Sequence, residues 1–431
     1  MDRRVFLENN TAVLAGATLA GMLPLSAQAQ ATAKKSIRIG IAGSGNRARD
    51  LMRTLFDLGG IEIPAVCDIK PSALKAAQDL VVKNGQPKPE GYSGPTDYEK
   101  MMDRDDLDAV IIGSPWDLHT PMAVYAMKAG KIVGCEVPIA YTLDECLELI
   151  KTHEETGTKC MMLENWSFRP DNLAVLNIIR QGGLGTITHA HCSYSHNCIN
   201  HWYFDPQTGD DRWGAQFLVE HNRVQYPTHQ QGPVLSWMDI GCGDYYDTLT
   251  ATATDCFSIN EYFKRHFPGH PNGDRKYAQG DIVTAVVRTK LGKSIVINYD
   301  MQSPRPYDNR WMVQGTLGIY NEQRKAISME GETRRHHTWE PFAPHQKKNQ
   351  HVWAQTASGG HGGADGIMLS QFVKAIRENK PLPLSLYDGV LMSAIGPLSE
   401  ASIAGGSKSI GIPDFTQGKW RTNKPYFGMG S

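Results

Sequence analysis

The sequence lacks the charge imbalance that is typical of proteins binding nucleic acids or anionic membranes. Its 431 residues carry 44 Lys and Arg against 45 Asp and Glu, a net charge of −1. This balance gives no electrostatic reason to expect a nucleic acid partner. No internal repeat or low-complexity run is present either. The length exceeds one ordinary hydrophobic core, and it suits a globular protein of two domains.

Cysteine is present, but the spacing that marks zinc sites and redox pairs is not. None of the eight cysteines forms a CxxC pair, and Cys67, Cys135 and Cys160 lie inside apolar, strand-like runs. We predict that most of the eight are buried free thiols.

A group of histidines near the middle of the chain raises the question of a metal. No acid or cysteine nearby completes a convincing ligand set, so no metal site is predicted. The segment "RRHHTWEPF" is likewise interpreted as a solvated loop. The histidines in question are His189, His191, His196 and His201.

The sequence has no apolar run that would securely span a membrane. Its longest candidate, "TAVLAGATLAGMLPL", is short and rich in Ala and Gly. It follows Arg3-Arg4 and precedes the small residues Ala27 to Ala29, an order that resembles a twin-arginine export signal. We predict a signal of this type over residues 1–31. The protein is then expected to be exported folded to the periplasm or beyond, with no stable membrane insertion.

Strand and helix patterns alternate over residues 36–165. "SIRIGIAG" is an almost continuous apolar run, as a strand buried on both faces requires, and "NRARDLMRTLFDL" follows with helical spacing. Further apolar runs alternate with helices up to "KCMMLEN". This order predicts a Rossmann domain, which is a doubly wound parallel sheet, in an α/β protein.

The pattern changes over residues 166–431. Segments such as "THAHCSYSH", "DIVTAVVRT" and "SIVINYD" are joined by short turns, which predicts an α+β domain with an open, mainly antiparallel sheet. Two late helices are expected to pack back across the chain. An open sheet needs cover, so we expect a homo-oligomer formed through its outer face.

A glycine-rich turn between the first strand and the first helix predicts a dinucleotide site. Gly43 and Gly45 belong to a GxGxxA sequence, in which Asn46 and Arg47 open the helix. Backbone N–H groups and the helix N-terminus would hold a pyrophosphate, and Arg47 would add charged hydrogen bonds. Asp68 ends the next strand, where a carboxylate accepts from ribose hydroxyls and repels a 2′-phosphate. The predicted cofactor is therefore NAD.

"GSPWDLHTP" ends another strand of the same sheet. Its Ser114, Trp116 and His119 are expected in the crevice at the carboxyl ends of the strands, where ligands of such sheets bind. His119 alternatively serves as a hydrogen-bonding residue at the start of a helix.

The whole organisation resembles the glucose–fructose oxidoreductase and inositol dehydrogenase superfamily. Its usual Glu-Lys-Pro motif, with a lysine near the reacting hydroxyl, reads Glu136-Val137-Pro138 here. Within that superfamily the chain resembles the NAD-dependent α-N-acetylgalactosaminidases of glycoside hydrolase family 109, where Glu-Val-Pro is usual. The motifs that carry this resemblance, between about Ile37 and Trp420, are "GCEVPIAYTLDEC", "CMMLEN", "YPTHQQGPV", "GDIVT", "SPRPY", "GHGGAD" and "PDFTQGKW".

The resemblance implies a redox-neutral hydrolysis of α-linked N-acetylgalactosamine. NAD takes hydride from C3, the C2 proton is removed, the C1 oxygen leaves, water adds, and the ketone is reduced again. His229 would act at the C3 hydroxyl, and Tyr226 would bind the sugar or relay a proton. The implied substrate contacts are Tyr194, Tyr226, Pro227, Thr228, His229 and Tyr307, and further cofactor contacts are Glu136, Val137 and Asn165.

Two alternatives stay open at this stage. The first is a periplasmic sugar dehydrogenase, which would accumulate reduced cofactor. NAD that is carried out of the cytoplasm in the protein has no ready means of reoxidation there, which favours a reaction that returns the hydride in each cycle. A non-catalytic sugar-binding protein would do neither. One departure weakens the choice of sugar: the family commonly has a Trp-Arg pair upstream of "YPTH", where this sequence has Phe217-Leu218, with Arg212-Trp213 earlier.

Overall fold

The computed structural model describes residues 36–333, 335 and 337–429. The predicted export signal, residues 1–31, lies outside this part of the chain. Within it, no helix has both the length and the apolar character needed to cross a membrane. All eight cysteines are free thiols, and six of them are buried.

The first half of the described chain builds a six-stranded parallel sheet with the spatial order β3-β2-β1-β4-β5-β6. This order confirms the predicted Rossmann fold. The central strand β4 is apolar and fully buried, as a strand of a parallel sheet covered on both faces requires. The strands are β1 (Ile37–Ala42), β2 (Ile61–Cys67), β3 (Glu90–Tyr92), β4 (Ala109–Ile112), β5 (Ile132–Cys135) and β6 (Cys160–Met162), and the helices are α1 (Asn46–Leu58), α2 (Pro71–Lys83), α3 (Asp97–Met102), α4 (His119–Lys128) and α5 (Leu143–Thr156).

The second half builds a nine-stranded sheet with the order β14-β13-β12-β11-β7-β10-β9-β8-β15. All pairs are antiparallel except β7 with β10, so the predicted open, mainly antiparallel sheet is confirmed. The strands are β7 (Ile187–Ser195), β8 (Tyr246–Ala253), β9 (Val283–Thr289), β10 (Ser294–Asp300), β11 (Met312–Gly315), β12 (Gly318–Asn321), β13 (Ala326–Met329), β14 (Glu340–Pro341) and β15 (Ile410–Gly411).

Seven helices accompany this sheet, and two of them return to the Rossmann half. They are α6 (Pro170–Arg180), α7 (Ala215–Glu220), α8 (Thr228–Met238), α9 (Ser258–His266), α10 (Phe342–Lys348), α11 (Ala364–Arg377) and α12 (Leu386–Ala404). Helix α11 packs against α1, and α12 packs against both α5 and β8. The Ile139 N–H donates to Ser393 Oγ of α12 at 3.2 Å. The late helices therefore join the two sheets through a shared core.

Candidate active site

The turn between β1 and α1 is shaped to admit an anion. Gly43 has a φ of 79°, and an added Cβ there would lie 2.6 Å from the Ser114 nitrogen, so only glycine fits. An added Cβ on Gly45, by contrast, would meet nothing within 4 Å. Helix α1 begins after Gly45 with no side-chain cap and no acid in its first turn. Its N–H groups therefore face open space, as a pyrophosphate site requires.

Asp68 lies beside this turn, where the sequence predicts it. Its Oδ2 accepts a 2.8 Å hydrogen bond from the Ser44 N–H, and its Oδ1 accepts one of 2.8 Å from the Lys70 N–H. Asn46 is the first residue of α1, and its side chain accepts from Arg49. The residues that this structure brings together here therefore fit the adenosine and pyrophosphate parts of a dinucleotide.

Arg47 is held by two carboxylates, which limits its predicted role toward a pyrophosphate. Its Nε lies 2.7 Å from Glu136 Oε1, and its two Nη atoms lie 2.8 and 2.9 Å from the oxygens of Asp365. Burial opposes the charge, but the two ion pairs outweigh it and raise the pKa of Arg47. Asn165 donates to the same Asp365 at 2.9 Å. Arg47 thus links β5 and α11 at the mouth of the cofactor turn.

His119 takes the role of a structural tie at the start of α4. Its Nδ1 lies 2.6 Å from the Pro138 carbonyl oxygen, and its Nε2 lies 2.8 Å from that of Ser114. Burial lowers the pKa of His119. Because both ring nitrogens face main-chain carbonyls, the helix-start alternative describes His119 better than a cofactor contact does. The tie holds the Ser114 loop against the Glu136-Val137-Pro138 segment, in which Val137 is buried.

Trp116 lies inside an aromatic cluster and not in an open crevice. It is 3% exposed, and its ring centroid lies 5.7 Å from that of Tyr226 and 5.1 Å from those of Trp213 and Phe217. Trp213 and Phe217 thus fill this wall of the site with rings. Arg212 bonds the His201 carbonyl at 2.9 Å and the Asp205 carboxylate at 3.4 Å.

The predicted catalytic histidine is buried and oriented from both sides. His229 Nδ1 lies 2.7 Å from Glu164 Oε1, and its Nε2 lies 3.2 Å from the Tyr226 hydroxyl. Burial lowers the pKa of His229 despite the opposing effect of Glu164. In the neutral imidazole, Nδ1–H donates to the carboxylate and Nε2 accepts from the Tyr226 hydroxyl. This arrangement can take a proton at Nε2.

Glu164 is a functional residue that the sequence reasoning missed. It is fully buried, and besides His229 it accepts from the backbone N–H groups of Trp166 at 3.0 Å and Ser167 at 2.8 Å. Gly232, one turn beyond His229 on α8, gives it room: an added Cβ would lie 1.9 Å from Glu164 Oε2. A buried acid directly before the predicted contact Asn165 was the available signal, since such an acid needs a partner.

The predicted substrate tyrosines surround this histidine. The Tyr194 ring lies 5.2 Å from His229 and 5.0 Å from Tyr226, and Tyr307 lies 5.8 Å from Tyr194. Tyr307 is 44% exposed, whereas Tyr194 and Tyr226 are buried. These three rings form one wall with an outer rim at Tyr307.

Pro227 precedes α8 and Thr228 is its first residue, and both are buried. The Pro227 carbonyl accepts from Gln231. They fix the position of His229 through the backbone, and the structure gives neither side chain an open face.

The outer histidines do not converge on a metal. In the described residues, no group of three or more His, Cys, Asp or Glu side chains is placed to hold an ion. His189 bonds Ser294 and His191 bonds Asn298, both across the β7–β10 pair.

Two family profiles cover nearly all of the described chain. A profile described as "Oxidoreductase family, NAD-binding Rossmann fold" matches residues 37–164, and one described as "Glycosyl hydrolase 109, C-terminal domain" matches residues 168–422. The first supports a nicotinamide cofactor at the turn after β1.

Solved structures with the same fold include several oxidoreductases. An NAD binding oxidoreductase from Klebsiella pneumoniae is 20% identical with a TM-score of 0.69, over 88% of this chain and 100% of that one. A levoglucosan dehydrogenase in complex with NADH and L-sorbose is 17% identical with a TM-score of 0.67, over the same shares. At these identities the likeness concerns the fold.

Relatives in sequence are closer and span the full length. A glycosyl hydrolase family 109 protein from Shewanella pealeana is 36% identical over 99% of this chain and 98% of its own length. An alpha-N-acetylgalactosaminidase from Shewanella oneidensis is 34% identical over the same shares. With the C-terminal profile and the histidine site described above, these matches show that the chain belongs to glycosyl hydrolase family 109.

Proposed function

We propose that the protein is an NAD-dependent glycosidase that releases α-linked N-acetylgalactosamine and ends each cycle with its cofactor in the starting redox state. The observation that carries this proposal is the buried His229, held by Glu164 at Nδ1 and directed by Nε2 toward Tyr226 within a wall of tyrosines. The name of the Shewanella oneidensis relative supports the choice of sugar.

NAD is favoured over NADP by Asp68, because a carboxylate beside the glycine turn attracts ribose hydroxyls and repels a 2′-phosphate. When bound, the cofactor would accept hydride from C3 of the sugar and later return it. The N-terminus of α1 would hold its pyrophosphate.

His229 would accept the proton of the C3 hydroxyl at Nε2, directly or through Tyr226. Glu164 would keep the other ring nitrogen protonated and stabilise the imidazolium that forms. The resulting C3 carbonyl makes the C2 proton acidic, its removal expels the C1 oxygen, and water then adds at C1. Reprotonation at C2 and reduction at C3 complete the hydrolysis.

An ordinary glycosidase mechanism is disfavoured by the state of the buried carboxylates. Such a mechanism needs a free acid and a free base or nucleophile on opposite sides of the glycosidic bond. Here Glu136 and Asp365 are paired with Arg47, and Glu164 is held by His229 and two backbone N–H groups. The same histidine would also serve a sugar dehydrogenase, but the buried Val137 leaves that reaction without the usual lysine.

The test uses purified protein shown by mass analysis to retain NAD. It is incubated, without added cofactor, with a panel of nitrophenyl glycosides that includes the α-N-acetylgalactosaminide. We expect cleavage of that substrate with no net reduced cofactor. Reduced cofactor accumulating in proportion to free sugar would favour the dehydrogenase, and sugar binding without either reaction would favour a non-catalytic protein.

Export and assembly are also proposals. The twin-arginine-type signal over residues 1–31 would send the folded, loaded protein to the periplasm or beyond. The outer face of the nine-stranded sheet, where Val286 is exposed on β9, would be covered by another copy of the chain.

A further inference from the structure

A groove of about 630 Å³ adjoins the histidine site through Trp166. Trp166 lines the groove, and its ring centroid also lies 5.9 Å from that of His229, at an interplanar angle of 80°. A cavity of this volume is typical of sites for small molecules. Trp166 therefore borders both the place where a sugar would react and the groove. The other lining residues used below are Arg169, Asp171, Tyr320, Glu322, Lys325, Ala343 and Gln346.

Trp166 carries a hydrogen-bond donor that the protein leaves unused. The side chain is 9% exposed, and its Nε1–H is buried with no acceptor among the residues that the structure describes. The Trp311 ring, at 5.9 Å, and the Arg169 guanidinium, at 5.1 Å, both pack on the indole, and neither side chain has an acceptor to offer. A buried donor without a partner is costly, so a bound oxygen atom at this position would be favourable.

The charges along the groove cancel. Arg169 Nε lies 2.9 Å from Asp171 Oδ1, and Arg169 Nη1 lies 3.5 Å from Glu322 Oε1. Burial raises the pKa of Glu322, which further limits the negative charge here. Lys325 adds a second positive side chain to the lining. Two acids thus face two bases, and the groove has no field that would attract an anionic ligand.

The uncharged polar groups of the groove both donate and accept hydrogen bonds. Tyr320 carries a hydroxyl, and its ring is fixed by Phe342 at a centroid distance of 4.6 Å. Gln346 carries an amide, one turn beyond Ala343 on α10. A sugar hydroxyl is likewise a donor and an acceptor, so such groups can pair with it in either sense.

We propose that this groove binds the aglycone, as an uncharged sugar unit joined to the sugar that reacts at His229; this inference rests on the proposed function. Trp166 Nε1–H would donate to an oxygen of that unit, and Tyr320 and Gln346 would bond its hydroxyls. Binding in the groove supplies interaction energy from a part of the substrate that does not react, and this energy can be used to position the bond that breaks.

A peptide is the competing class of aglycone, and the strands beside the groove argue against it. Extended peptides commonly bind by adding a strand to a free sheet edge. The strand that carries Tyr320, β12, is paired on both sides, with β11 and with β13. β13 is paired in turn with β14. A sugar needs no free edge, because it is bound by side chains alone.

The test compares two substrates whose leaving groups are both alcohols. One is methyl α-N-acetylgalactosaminide, and the other is a disaccharide in which an uncharged hexose replaces methanol. Release of N-acetylgalactosamine is followed by chromatography. We expect the ratio of kcat/KM, disaccharide over methyl glycoside, to be at least about 10 in the unaltered protein, as two hydrogen bonds would give. A disaccharide sulfated on the hexose and a glycosylated threonine peptide should both fall below the uncharged disaccharide.

Ala343→Trp tests the groove by filling it. Ala343 is exposed on α10 and lines the groove, so the indole should occupy the space of the aglycone. We expect the ratio to fall to about 1. Lys348→Trp is the matched control, because Lys348 is exposed on the same helix and does not line the groove. It should leave the ratio unchanged.

Trp166→Phe and Tyr320→Phe test single hydrogen bonds. Each variant keeps an aromatic ring and loses one polar group. We expect each to lower the ratio by about 3- to 10-fold, as the loss of one hydrogen bond would. Phenylalanine at 166 also loosens the packing on His229, but that effect acts on both substrates and cancels in the ratio. Thermal unfolding and mass analysis check that the variants are folded and retain cofactor.

A ratio near 1 in the unaltered protein, or a ratio that survives Ala343→Trp, would overturn the role of the groove while cleavage of the methyl glycoside upholds the proposed function. An unchanged ratio in Trp166→Phe would overturn the donor assigned to Trp166. A preference for the sulfated disaccharide or the peptide would overturn the uncharged sugar. Failure of the loaded, unaltered protein to cleave any of these substrates would overturn the proposed function, and the inference with it.

Discussion

The two histidine–carboxylate pairs beside Trp166 use the same chemical groups in opposite surroundings. His229 lies on α8, is 6% exposed, and meets a fully buried Glu164 and the Tyr226 hydroxyl. His361 lies in a glycine-rich loop with an exposed side chain, and Asp365 joins it to Arg47 at the cofactor turn.

The two pairs differ in their access to solvent. The His229–Glu164 pair is buried and hydrogen-bonded at both ring nitrogens, which suits a proton that leaves the C3 hydroxyl and must return to the same place. The His361–Asp365 pair lies at a groove that Trp166 and Arg169 also line. The link from Asp365 through Arg47 to α1 also makes the position of His361 depend on the cofactor half of the molecule.

The largest expected effect comes from replacing His229, the histidine of the buried pair. His229→Ala should lower kcat/KM by on the order of 10²- to 10⁴-fold, because the proton acceptor at C3 is lost. The loss should be the same for nitrophenyl and methyl glycosides. Steady-state kinetics with both substrates measures it, and mass analysis should find NAD still bound. A loss confined to the methyl glycoside would contradict the assignment.

A smaller perturbation leaves both histidines in place and displaces one carboxylate. Gly232→Ala would put a methyl group 1.9 Å from Glu164 Oε2, so Glu164 must move and His229 with it. We expect activity to fall about 10- to 100-fold and the free energy of unfolding in urea to fall by about 1–3 kcal/mol.

Gly396→Ala in α12 is the control for that change, since its added methyl group would have only ordinary contacts, the nearest at 3.5 Å. It should be neutral or slightly stabilising, because alanine favours a helix over glycine. Equal effects of the two substitutions would contradict the role given to Gly232.

Val137→Lys tests the link between the cofactor turn and the His361–Asp365 pair. The new ammonium would be buried beside Glu136 and would compete with Arg47 for that carboxylate. We expect glycosidase activity to fall by roughly 10-fold through displacement of the Arg47–Asp365–His361 network, with no efficient new dehydrogenase. Val137→Ile should stay within a few-fold of the unaltered protein. Stoichiometric production of NADH by the lysine variant would contradict this reading.

The smallest expected effect is on the unfolding free energy at acidic pH, through the buried His196. Burial, assisted by His201 and His229, lowers the pKa of His196 to about 4, and the His196 ring packs 4.8 Å from that of Tyr194. Below about pH 6.5 the unfolded chain binds a proton here that the folded protein does not, so stability falls as the pH drops toward 4. His196→Asn should lessen the fall in unfolding free energy between pH 7 and pH 5 by about 2 kcal/mol. An identical fall in both proteins would remove His196 from the explanation.

Sequence patterns predicted those parts of the site whose residues lie close together in the chain. Gly43, Asn46 and the strand before them form one short motif, and Tyr226 and His229 lie three residues apart. The carboxylate contacts could not be predicted in this way. Asp365 and Arg47 are 318 residues apart in the chain, and they meet because α11 packs against α1. For His119 and Trp116 the sequence pattern was misleading. Their residue types and positions fit a ligand-binding crevice, but in space His119 contacts main-chain carbonyls and Trp116 contacts aromatic rings.

The most direct test of redox-neutral hydrolysis is isotope incorporation in deuterium oxide. The unaltered protein, loaded with NAD, is incubated with the nitrophenyl α-N-acetylgalactosaminide, and the released sugar is analysed at each carbon by nuclear magnetic resonance. Removal and return of the C2 proton predict deuterium at C2, protium retained at C3, and no net reduced cofactor. A released sugar that stays fully protonated at C2 would contradict the elimination route and with it the role proposed for His229.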